Sequence, residues 1–145
     1  MTMIASSAQA TEQPRIHCFL ADDIQATADK KITLVGLHPE NVLIVNVPPG
    51  TAAPSAGTPH AIESVAILVS ISRATGRHPV SIELDGASAS IKLPKDQVIQ
   101  FMPGRTMNMI LIFAPLTFAS YGKKALTITV GESSSRFEFE VLAGS

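Results

Sequence analysis

A chain of 145 residues with a hydrophobic fraction of 46% is long enough to build one domain around its own core, and its single cysteine, Cys18, excludes an intrachain disulfide framework. A formal net charge of −1, one tyrosine and no tryptophan supply neither the positive excess nor the stacking surfaces that nucleic-acid binding uses. No apolar run approaches the roughly 20 residues of a membrane-spanning helix, so a soluble, cytoplasmic protein in a reducing compartment is expected.

Residues 1–14 are rich in Ala, Ser, Thr and Gln without periodicity, and are expected to be a disordered tail before a single domain over 15–145. Ala8-Gln9-Ala10 imitates a signal-peptidase site, but the apolar segment that should precede it is missing. From Arg15 onward the signal is strand-like. Cys18 to Asp23 and Lys31 to Gly36 are two apolar runs with acidic residues between them. Alternation puts Cys18 on one face with Ile16 and Leu20, as a small buried hydrophobe and not a reactive thiol, and turns the adjacent His17 the other way. Gly36, following Leu34 and Val35, marks either a bulge or the close approach of another backbone.

Val42 to Val47, Val65 to Ile71 and Met107 to Phe113 are apolar at nearly every position, which a strand needs only when both faces are covered. Two covers fit: a loop or the N-terminal arm lying over central strands, or a subunit interface. On the second reading Leu68, Ile110 and Ile112 are interface residues.

Between the first two of these runs, the Pro, Gly, Ala and Ser of residues 48–61 predict a flexible loop. Val80, Ile82 and Leu84 alternate up to the turn dipeptide Asp85-Gly86, and Ala89, Ile91 and Leu93 repeat the pattern, which predicts a hairpin. Residues 94–105 read as a loop holding one short strand within 98–102. Leu126, Ile128 and Val130, then Phe137, Phe139 and Val141, alternate on either side of Gly131-Glu132-Ser133-Ser134 and predict a second hairpin with one apolar face. About eight or nine short strands and no substantial helix give an all-β, antiparallel two-sheet sandwich of immunoglobulin-like type. The inter-sheet disulfide and core tryptophan of antibody domains are absent, and Tyr121 is the one candidate for a tyrosine corner.

Phe19-Leu20-Ala21-Asp22-Asp23 and Asp29-Lys30-Lys31-Ile32-Thr33-Leu34-Val35-Gly36 resemble the "F-L-x-D-D" and "G-K-L-T-L-I-G" segments of a bacterial domain-of-unknown-function family of small immunoglobulin-like sandwich proteins. Gly76 to Leu84 is similar to its "G-x-H-x-V-x-I-x-L" strand, and Phe118 to Lys124 to its "F-x-x-x-G-x-Y" segment. Lys30 stands where the family has Gly and Lys124 where it has Tyr. The resemblance implies the sandwich fold and no established activity.

Chemistry-bearing patterns are sparse. His17, His38, His60 and His78 show no metal-ligand spacing, and neither a nucleophile elbow, a phosphate loop nor a dinucleotide fingerprint occurs. The acidic residues Asp22, Asp23 and Asp29, with Glu40 beside them, are the candidate cation ligands, for calcium as a hard ion that takes several oxygens. The competing reading has Asp22 and Asp23 ending the first strand as turn caps. Arg73, Arg77, Lys123 and Lys124 read as solvated turn charges. Two functions follow: a non-enzymatic interaction module that binds itself or another protein, or a metal- or small-ligand-binding domain, hydrolytic in one version, centred on the acidic residues.

Overall fold

The computed structural model describes residues 13–144, which form strands and their connections with no helix. The tail expected over 1–14 lies outside the described residues except for Gln13 and Pro14. Twelve strands follow one another: β1 (Arg15–Ala26), β2 (Ile32–Leu37), β3 (Val42–Asn46), β4 (His60–Ile62), β5 (Val65–Ser72), β6 (Gly76–Asp85), β7 (Ser88–Ala89), β8 (Gln97–Phe101), β9 (Met107–Phe113), β10 (Leu116–Phe118), β11 (Gly122–Val130) and β12 (Ser133–Gly144). They make a four-stranded sheet β2-β1-β5-β9, a five-stranded sheet β3-β12-β11-β6-β8 and a small sheet β4-β10-β7. Every pairing is antiparallel except β3 with β12.

The fold is an all-β sandwich because alternate residues of the two large sheets share one core. Val65, Ile67, Val69 and Ile71 of β5 join Val80 and Ile82 of β6, Leu126, Ile128 and Val130 of β11, and Phe139 and Val141 of β12 in a single buried cluster. The small sheet adds Leu116 and Phe118 to the same core. Each such side chain taken fully out of water stabilises the fold by about 1.5–3 kcal/mol before entropy is counted.

The hairpin expected near the C-terminus is β11–β12, closed by Gly131-Glu132 with Gly131 at φ 60, a left-handed conformation that suits glycine. The short strand expected within 98–102 is β8. Several expectations need correcting. Strands are more numerous than eight or nine because short ladders such as β4, β7 and β10 carry no periodicity long enough to read. The partners of β6 are β11 and β8 and not residues 89–93; of the segment after Gly86 only Ser88 and Ala89 pair, and with β10. Ile91 and Leu93, beyond β7, instead lie against the core as an irregular segment, so the alternation they continue from Ala89 reflects burial without a ladder to β6. Finally, β3 is not covered on both faces: it is an edge strand, and Ile44 is 56% exposed. His60 and Ala61, at the end of the segment expected as loop, pair within β4.

Lys124 corrects the reading of the basic residues as solvated. It is buried, its stem lies against Gly86, and Nζ donates to the Ser120 carbonyl at 2.6 Å. Desolvation holds its pKa below the usual lysine value.

Candidate functional site

Two surfaces carry the residues singled out by the sequence. The first is the outer face of the four-stranded sheet. Because β5 is a central strand, Ala66 and Leu68 point away from the main core and form a second cluster with Ala21 and Ile24, against which Ile32, Leu34 and Ile110 pack. Register sets these residues in rows. Phe19, Leu68 and Ile110 stand side by side on β1, β5 and β9, and Leu37, Ala21, Ala66 and Ile112 stand side by side on β2, β1, β5 and β9.

Leu68 is shaded by its neighbours, whereas Phe19, Ile112 and Leu37 are 40%, 40% and 47% exposed. The two rows contain no charged residue. A polar row of His17, Ser70 and Asn108 bounds them on one side. The structure thus brings Leu68, Ile110 and Ile112 together and adds Phe19 and Leu37. The signal for Phe19 was the unbroken apolar run from Cys18 to Ala21; Leu37 lay beyond the glycine that closed its pattern.

The second surface is the β1–β2 connection. Asp22, Asp23 and Asp29 do not converge. Asp29 sits in the hairpin turn, where it bonds the Thr27 hydroxyl and lies 3.4 Å from Lys31 Nζ. The Thr27 hydrogen bond is the main reason its carboxyl is held below the usual range. Asp23 accepts from Gln25 Nε2 at 3.2 Å. Glu40 borders a separate cleft with Lys123, Glu138 and Glu140. Among the described residues no group of three or more His, Cys, Asp or Glu stands in a metal-binding arrangement.

Asp22 has a different partner, His38, whose Nε2 lies 2.7 Å from Oδ1. Gly36 makes the pair possible. Ala21 faces Leu37 and Asp23 faces Val35, which leaves Asp22 opposite Gly36 at φ 68. A Cβ on residue 36 would stand 2.7 Å from Asp22 Cγ and overlap its carboxylate. Neither reading of this glycine, a bulge or the close approach of another backbone, describes it: what approaches is the Asp22 side chain. The main chain then continues so that His38 N donates to the Leu20 carbonyl at 2.8 Å, which fixes the imidazole beside Asp22. A hollow of about 280 Å³ opens next to the pair.

A larger hollow, about 670 Å³, opens near the start of β1 between Arg73, His78 and Glu132. There His78 is tied down through its Nε2, 2.7 Å from the Thr75 carbonyl oxygen. Tyr121 precedes β11 and joins an aromatic group with Phe118 and His60, with ring centroids 5.8 and 6.2 Å away.

Cys18 packs against the main core, and burial pushes its thiol up to about 12. Modification by a disulfide reagent at pH 8 is therefore expected to run on the order of a hundredfold slower in the native protein than in urea; equal rates would show an accessible thiolate. The folded thiol keeps its proton up to about 12 while the unfolded one loses it near 9. Its contribution to stability is thus complete below pH 9 and declines as pH rises toward 12. No protein-family model matches the chain, and no curated protein matches it either.

Proposed function

We propose that the chain is a non-enzymatic interaction module that associates with a second copy of itself through the outer face of its four-stranded sheet. The observation that carries this reading is the pair of uncharged cross-strand rows, Phe19-Leu68-Ile110 and Leu37-Ala21-Ala66-Ile112, three of whose members stay well exposed. Contiguous apolar surface of this kind is unfavourable in water and gains stability when covered. Self-pairing about a two-fold axis sets like residues near like, which a charged face resists and this one permits.

Light scattering over a concentration series is expected to show the mass doubling by tens of micromolar. Ile112→Lys should leave the melting temperature within a few degrees, since the site is half-open, while holding the protein monomeric. A wild-type mass that stays at the monomer value throughout would sink the proposal.

A further inference from the structure

The hollow beside Asp22 and His38 is bordered by four successive residues of β3, Leu43 to Asn46, and by four successive residues in and after β4, Ala61 to Ser64. A hollow over a sheet face touches every second residue of a strand, because successive side chains point to opposite faces. Unbroken runs on both walls mean that this hollow lies alongside the strands and faces their edges. Both strands are indeed edges: among the described residues β3 pairs only with β12, and β4 only with β10. Beyond those ladders, no main-chain hydrogen bond among the described residues involves 42–46 or 60–64. The groove of about 280 Å³ therefore has main-chain donors and acceptors free for pairing along both walls.

Its charge is one-sided. Asp22 and Glu63 border it and no lysine or arginine does; Asp22 is shared with His38, while Glu63 has no ion-pair partner among the described residues. Ile44 and Ile62 supply apolar surface between them. Four residues of β3 offer about 13 Å of edge, the length of a four-residue extended segment.

We infer that this groove binds an extended peptide segment carrying a lysine or arginine side chain, which adds to β3 as a further strand and sets its cation toward Glu63 and Asp22. Residues 1–12 of the chain itself contain no lysine or arginine, so a segment of this chemistry comes from a partner protein. The groove shares no residue with the two apolar rows, so peptide binding and self-association succeed or fail separately.

The probe is an acetylated, amidated heptapeptide of alternating valine and lysine, compared with the same peptide carrying glutamate for lysine and with one N-methylated at every amide. Calorimetry is expected to show the lysine peptide binding about tenfold more tightly than the glutamate peptide, with no binding of the methylated one, which cannot pair. Amide exchange at residues 43–46 should slow when the lysine peptide is present. The exposed substitution Glu63→Gln, which leaves the fold intact, should weaken its binding about threefold. Equal affinity for all three peptides, or unchanged exchange at 43–46, would overturn the inference. So would a groove whose exchange at 43–46 quickens, in the absence of peptide, when residues 1–12 are deleted, since the chain's own segment would then be the occupant.

Discussion

Replacing Phe118 by alanine is expected to lower stability by about 3–5 kcal/mol, read as a lower urea midpoint with an unchanged slope. The side chain is 1% exposed, belongs to the main core and stands on the central strand of the small sheet. Around it, His60 on β4 and Tyr121 before β11 approach edge-on or tilted, so the cavity left by truncation is walled by rings held on two different segments, a strand and a connection. Such walls collapse poorly, which places the cost toward the upper end. A loss under about 1 kcal/mol would mean that the small sheet lies on the sandwich as a flap and contributes little to its core.

Gly36→Ala is expected to cost about 2–4 kcal/mol, although it adds one methyl group at an exposed position. Part of the cost is the backbone, because a φ of 68 is strained for any residue with a Cβ. The rest is the overlap with the Asp22 carboxylate, which must swing away and give up His38. The two parts separate in a double-mutant cycle. Asp22→Ala in the Gly36→Ala background should recover the overlap and leave only the backbone strain, a non-additivity of about 1 kcal/mol or more. Strict additivity would show that Asp22 does not occupy the space above the glycine.

How far the sequence is legible depends on whether a feature lies within one strand or between strands. Alternation along Leu126 to Val130 and Phe137 to Val141 is a property of each strand by itself, and β11–β12 is where it was expected. Val42 to Val47 and Val65 to Ile71 look alike as strings, yet β5 has a neighbour on each side whose side chains help bury residues on both its faces, while β3 has one neighbour and a bare Ile44. Nothing in a run of apolar residues specifies how many strands will flank it. Ala89, Ile91 and Leu93 mislead in the opposite way, since burial against a core produces the same period as a ladder. For the candidate surfaces, the excess of apolar residues at Leu68, Ile110 and Ile112 was readable. The rows that join them to Phe19 and Leu37 come from register, which local sequence does not encode. Likewise, Asp22 was legible as one of the acidic candidates, but its partner lies 16 positions away and is delivered by the turn of a hairpin.

The one parallel pairing among the described residues has a consequence for how the chain is made. Val42 lies opposite Glu140, so β3 docks on a strand synthesised about a hundred residues after it. Until then the segment Val-Leu-Ile-Val-Asn has no sheet to join, and its stickiness must be tolerated by the nascent chain. Closure of the five-stranded sheet thus waits for β12. Any delay in β12 would lengthen the interval in which this early strand can pair with the wrong neighbour.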